Sequence, residues 1–91
     1  MILTFGVEDL TIPDGWAVVE ERLMRAYEFQ DFAQAKSFID EVSKICERHN
    51  HHAELHFGWG YAVVECYTHD QNAITDLDYA LATSINEVEV Q

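Results

Sequence analysis

Residues 47–78 read ERHNHHAELHFGWGYAVVECYTHDQNAITDLD, and two periodicities inside this stretch set the architecture expected for the whole chain. Leu55, Phe57 and Trp59 alternate with Glu54, His56 and Gly58, while Ala62, Val64, Cys66 and Thr68 alternate with Val63, Glu65 and Tyr67. Alternation of this kind marks an extended chain with one buried face, so the two runs predict a hairpin turning around Gly58-Trp59-Gly60-Tyr61. After the loop Asp70-Gln71-Asn72-Ala73 the period lengthens. Thr75, with Asp78 three positions on, predicts a helix start closed by a capping box, and Leu77, Leu81, Ile85 and Val88 supply the apolar stripe.

Reading outward toward the N-terminus, Phe32, Ala35, Phe38, Ile39, Val42, Ile45 and Cys46 recur at spacings of three and four, the stripe of an amphipathic helix. Asp31 is its expected N-cap, Gln34 its capping-box partner, and the helix should fade near His49-Asn50. Before it, Trp16 to Val19 and Leu23 to Phe29 are short runs of β-branched and aromatic residues separated by the polar break Glu20-Glu21-Arg22, which predicts another hairpin. Residues 1–15 show no sustained period and end in the turn signal Pro13-Asp14-Gly15, so they are expected as an irregular N-terminal arm. The order strand, strand, helix, strand, strand, helix implies one α+β domain over residues 1–91, an antiparallel four-stranded sheet with the helices packed on one face.

Ninety-one residues form a single small domain, and 48% hydrophobic residues suffice for a core without staples. Cys46 and Cys66 are too few for a disulfide framework and lie in apolar segments, so they read as buried thiols in a reducing compartment. No apolar run approaches the roughly 20 residues that span a bilayer, and Met1-Ile2-Leu3-Thr4 lacks the positive charge that opens a signal peptide. No membrane association and a cytoplasmic location are expected. A formal net charge of -12 argues against direct nucleic-acid binding, which needs clustered Lys and Arg, and Arg22, Arg25, Lys36, Lys44 and Arg48 are too scattered and outnumbered to form such a footprint.

All five histidines fall between His49 and His69. Histidine's unperturbed pKa, about 6.5, lets it give or take a proton near neutrality, and its neutral form binds metals. The expected topology places His51 and His52 where the first helix hands over to the third strand, and His69 at the end of the fourth. Hairpin partners run antiparallel, so these histidines are brought to one end of the sheet, where they can close on a small ligand from two sides. A metal site is the rival reading, but adjacent histidines on an extended chain point apart, and no HExxH or paired-cysteine pattern is present, so no metal is expected.

The run Glu47-x-x-x-His51-His52, the aromatic Trp59, then Thr68-His69-Asp70 and Ile74-Thr75-x-x-Asp78 with Leu81-Ala82 resembles the pterin-4a-carbinolamine dehydratases. The resemblance extends back through Trp16, Leu23 to Phe29 and Asp31-Phe32. Two departures stand out: Ala53 where the family usually has proline after the histidine pair, and Ala73-Ile74-Thr75 where it usually has Gly-Leu-Thr. Neither removes a proton-transfer group.

The resemblance implies a hydro-lyase that takes water from 4a-hydroxytetrahydropterin to leave quinonoid dihydropterin, with no cofactor. It names His51, His52 and His69 as catalytic candidates, with Asn50, Tyr67, Thr68 and Asp70 around the pterin. Glu47 and Asp78 match the family's acidic positions. Glu47 would orient an imidazole, whereas Asp78 is read first as the helix cap. Trp59 either walls the pocket or fills the hairpin corner. His49 and His56 lie off the pattern and are expected to face solvent. The implied partners are a pterin, other copies of the chain in a homodimer or homotetramer, and a pathway link to aromatic amino-acid hydroxylases. The alternative is a non-enzymatic dimerisation cofactor or assembly factor of the same fold.

Overall fold

In the computed structural model, which describes residues 12–88, the elements follow in the expected order. β1 (Ala17–Val19) and β2 (Arg22–Glu28) form the first hairpin, and α1 spans Phe32–His49. β3 (Glu54–Gly58) and β4 (Tyr61–Cys66) form the second, and α2 spans Asp76–Ile85. The strands pair antiparallel in the order β1-β2-β4-β3, with both helices on one face. Residues 1–11 of the expected N-terminal arm lie outside the described part; Pro13 to Gly15 make the turn, with the Trp16 amide donating to the Pro13 carbonyl at 3.1 Å. No described helix is long and apolar enough to cross a membrane.

The first hairpin is tighter than its polar break suggests. Arg22 is already paired with Val19, so Glu20 and Glu21 alone make the loop, at φ 50° and 64°. A two-residue loop follows the twist of its strands when both residues are left-handed, a conformation usually given to Asn-Gly and here imposed on two glutamates.

α1 starts and stops by side-chain chemistry. Asp31 Oδ1 accepts from the Gln34 amide at 2.9 Å. Gln34 does not complete the expected box at Asp31: its Oε1 accepts from the Gln30 amide at 3.0 Å, one residue further back. At the other end Asn50 takes the left-handed conformation (φ 54°, ψ 39°), and its N–H returns to the Cys46 and Glu47 carbonyls. Asparagine tolerates this cap better than most residues, and the reversal lets the His51 amide donate to the Cys46 carbonyl at 3.2 Å.

Leu23 and Tyr27 of β2, Ala62, Val64 and Cys66 of β4, Phe38, Ile39, Val42, Ile45 and Cys46 of α1, and Leu81, Ala82 and Ile85 of α2 build the core. Two residues of the expected helix stripes are exposed instead. Phe32, the first helical residue of α1, is 47% exposed and packs on Phe57 of the edge strand, with ring centroids 5.5 Å apart. Leu77 is 53% exposed because the stripe of α2 runs Asp78, Leu81, Ala82, Ile85, one residue round from the expected line. The capping carboxylate of Asp78 takes the inward position.

Cys46 and Cys66 are buried free thiols, as expected. Burial pushes both above the usual thiol range, Cys66 furthest.

Tyr27 supplies a stability test. Its ring packs on Phe38 at 4.3 Å, its hydroxyl is buried with no hydrogen-bond partner among the described residues, and burial pushes its pKa up to about 12. An unfolded tyrosine ionises near pH 10, so the folded state is fully favoured below that value and loses stability as pH rises through about 12. Tyr27→Phe should flatten this alkaline loss and leave stability at neutral pH unchanged or raised, because it removes an unsatisfied polar atom. Urea titrations of both proteins between pH 8 and pH 11 check it.

Candidate functional site

The register of the second hairpin builds the site. Glu54 at the start of β3 faces Glu65 near the end of β4, so the segment entering β3 lies beside the segment leaving β4. The chain after β4 then folds back on itself: the Thr68 amide donates to the Ala73 carbonyl at 2.8 Å, and Asn72 turns at φ 50°. That loop delivers Thr75 and α2 to the same end of the sheet.

Asp78 sits at the centre of what converges there. Its side chain has no exposure, and it accepts from the His51 imidazole (Nε2 to Oδ1, 2.7 Å), the Thr68 hydroxyl (2.8 Å) and the Thr75 amide (2.9 Å), the last two on Oδ2. Thr68 gives its proton to Asp78, so it receives one from the Thr75 hydroxyl at 2.7 Å. Thr75 in turn accepts from the Leu77 amide at 3.3 Å. Asp78 therefore caps α2 as the sequence predicts, and the same carboxylate also orients a histidine. With the carboxylate accepting, the His51 proton lies on Nε2, which leaves Nδ1 as the nitrogen open to chemistry.

His52 and His69 repeat the pairing closer to solvent. His52 Nε2 lies 2.6 Å from Glu47 Oε2, one turn back on α1, with side chains 57% and 76% exposed. His69 Nε2 lies 3.4 Å from Glu54 Oε2, and its ring rests against Tyr67 with centroids 4.4 Å apart. His51, by contrast, is only 11% exposed. Each imidazole is held from one side by a carboxylate on a different element.

A cavity of about 340 Å³ opens between them, lined by Asn50, His51, His52, Thr68, His69, Asp70 and Leu77. Its volume is at the lower end of the ~300–1,000 Å³ typical of small-molecule sites. Of the sequence candidates, Asn50, His51, His52, Thr68, His69 and Asp70 line it directly. Asp78, Glu47 and Tyr67 stand behind the three histidines. Trp59 is not gathered there: it occupies the turn at the opposite end of the hairpin, 72% exposed, next to Gly60 at φ 84°. Among the described residues, no three His, Cys, Asp or Glu side chains converge as ligands for an ion.

Two residues of the site escaped sequence reading. Leu77 belongs to the apolar stripe expected for α2, and Glu54 is one of the alternating residues of β3 whose pairing with His69 depends on the hairpin register. The remaining histidines divide. His56 faces solvent as expected and pairs with Glu65 at 3.0 Å. His49 does not: it is half-buried, with Nε2 2.9 Å from the Ser84 hydroxyl, because the last turn of α1 packs on α2.

These features define an α+β protein with a histidine and carboxylate pocket at one end of its sheet. The family model described as Pterin 4 alpha carbinolamine dehydratase matches residues 6–88, and the chain belongs to that family. A relative from Prochlorococcus marinus (strain MIT 9515) is 36% identical over 74 residues, 81% of this chain and 77% of its own. Another, from Rubrobacter xylanophilus, is 35% identical over 75 residues, 81% of this chain and 70% of its own. Both carry the family's name. Among solved structures, a transcriptional coactivator/pterin dehydratase from Brucella melitensis matches with a TM-score of 0.77 and 32% identity, over 87% of this chain and 86% of that one. A pterin dehydratase-like protein described as a RuBisCO assembly factor in the alpha-carboxysome matches with a TM-score of 0.62 over 78% of this chain and 82% of that one. At 18% identity it shares the fold alone.

Proposed function

We propose that the chain dehydrates 4a-hydroxytetrahydropterin to quinonoid dihydropterin and water, with His51, His52 and His69 moving the protons. The observation that carries the reading is His51, nearly buried and paired with Asp78 behind it, in a pocket that His52 and His69 also line. The bond that breaks joins C4a to the hydroxyl oxygen. Hydroxide leaves poorly, so that oxygen takes a proton as the bond breaks, while the N5 proton goes to a base and the N5 electron pair forms the new C=N bond.

His51 suits the base. On taking the N5 proton at Nδ1 it becomes an imidazolium whose other nitrogen already faces the Asp78 carboxylate. His52 and His69, half exposed, suit the acid that protonates the leaving oxygen and then recovers its proton from water. Asn50, Tyr67, Thr68 and Asp70 shape the pterin's surroundings, and Glu47 and Glu54 hold the outer imidazoles. Trp59 lies outside the pocket and takes no part in this reading.

The direct test generates 4a-hydroxytetrahydropterin in situ with an aromatic amino-acid hydroxylase, the reaction class that supplies this substrate, and follows its loss with and without the purified protein. Faster loss is expected, and an unchanged rate would refute the proposal. No step uses an ion or a cofactor, so prior treatment with a chelator should leave both the acceleration and the thermal midpoint unaltered; recovery of a lost rate on adding zinc would revive the metal reading.

Among the described residues, β1 and β3 are the two edges of the sheet. Exposed edges invite pairing with another strand, so we place the active form as a homodimer or larger homo-oligomer. Light scattering at micromolar concentration should give at least twice the chain mass. We place it in the cytoplasm, consistent with two free, buried thiols; cell fractionation tests this.

A further inference from the structure

We infer that Arg22 is a positioning residue for His69, acting through the ring of Tyr67. The kinetic consequence rests on the dehydratase reading, and the structural one does not.

Arg22 opens β2 directly after the left-handed Glu20-Glu21 turn. Its Nη1 donates to the Glu20 carbonyl at 3.2 Å, which ties the guanidinium to the turn. Its Cζ then lies 3.9 Å from the centroid of the Tyr67 ring. That is contact distance for a cation over an aromatic face, the arrangement in which ring electrons attract the charge. Tyr67 in turn rests against His69, with centroids 4.4 Å apart and planes 40° apart. The series runs from a strained turn through a guanidinium and a phenol to an imidazole at the pocket.

Two features make this stack more than surface packing. The first is how little else among the described residues holds His69. Its side chain is 56% exposed, and Glu54 reaches its Nε2 only at 3.4 Å, the outer limit of a hydrogen bond. Tyr67 is therefore the principal wall that sets its ring plane. The second is that Arg22's neighbouring carboxylate does not explain its placement. Glu65 Oε1 is 3.8 Å from Arg22 Nε, too far for a hydrogen bond, and the other oxygen of Glu65 is engaged by His56 at 3.0 Å.

Tyr67 follows the last residue of β4. Without the guanidinium over its outer side, its ring is free to rotate toward solvent and to release His69 with it. A proton-transfer group that loses its alignment slows the chemical step more than it weakens binding.

The experiment compares the parent with Arg22→Ala, Tyr67→Leu and Glu65→Gln, using histidine labelled in the imidazole for NMR together with dehydration kinetics. In the parent the ring protons of His69 should be displaced by the ring current of Tyr67. Arg22→Ala should lose at least half of the displacement that Tyr67→Leu abolishes, and its kcat should fall about three- to tenfold with KM within about twofold. Glu65→Gln, which removes the ion pair and leaves the stack, should keep the His69 signals and kcat within about twofold of the parent. Unmoved His69 signals in Arg22→Ala overturn the inference whether or not the protein turns over. Moved signals with an unchanged kcat, or a Glu65→Gln variant that reproduces the Arg22→Ala effects, overturn it equally. A parent without dehydratase activity refutes the proposed function, and the NMR comparison still decides the stack.

Discussion

Asp78→Asn should lose about two orders of magnitude in turnover while keeping the start of α2 in place. The carboxylate accepts from three donors at once, from the His51 ring, the Thr68 hydroxyl and the Thr75 amide, in a site with no solvent exposure. An amide of the same shape keeps one accepting oxygen and turns an NH2 group toward a donor. It can cap the helix or hold the His51 proton, but not both, and it has no charge with which to stabilise the imidazolium. General acid–base contributions run from about 10²- to 10⁴-fold, and an elimination that also proceeds in water belongs near the lower end.

Stability should fall by about 1–3 kcal/mol in Asp78→Asn and by about 3–5 kcal/mol in Asp78→Ala. Alanine leaves all three buried donors unpaired and removes the cap as well. Urea denaturation monitored by far-UV circular dichroism separates the two variants. An Asp78→Asn protein that melts and turns over like the parent would show that Asp78 is neither the cap nor the orienting group described.

His51→Ala, His52→Ala and His69→Ala should each slow dehydration by roughly 10- to 100-fold, and their stabilities should divide where the geometry divides them. His52 and His69 are more than half exposed, so their loss should change stability by less than about 0.5 kcal/mol. His51 is 11% exposed and pairs with the buried carboxylate, so His51→Ala should also cost about 1–3 kcal/mol. His56→Ala is the control, expected within about threefold of the parent, because its ring faces solvent and pairs with Glu65. His49→Ala should leave turnover equally untouched, yet lower stability by about 1 kcal/mol through loss of the bond to Ser84. A His56→Ala defect as large as that of His52→Ala in a folded protein would mean that the pocket used in catalysis lies on the other face of the sheet.

Local rules brought the sequence reading a long way. Alternation in Glu54 to Cys66, the three- and four-residue spacing in α1, Asp31 and Thr75 as caps and Asn50 as a terminator each depend on residues within one or two turns of each other. The order of elements and the meeting of His51, His52 and His69 follow from them by hairpin geometry alone. The same pattern, with Glu47 and Asp78 at their intervals, carries the resemblance to the family to which the chain belongs.

What the sequence by itself determined is therefore the order of elements, the two hairpins and the convergence of His51, His52 and His69, because these are consequences of short-range period and antiparallel pairing; the pairing of β2 with β4 that joins the hairpins is a long-range outcome. Only the tertiary structure decided how those histidines are held. Asp78 lies 27 positions from His51 and 10 from Thr68, and nothing local to the start of α2 reveals that its capping carboxylate would be buried beneath both. The same burial turned the α2 stripe by one residue and moved Leu77 from that stripe to the pocket wall. Glu54 met His69, and Trp59 was left far from the cavity, through the hairpin register. These are outcomes of long-range packing, in which a buried polar group must find every partner it needs and the apolar residues take the positions that remain.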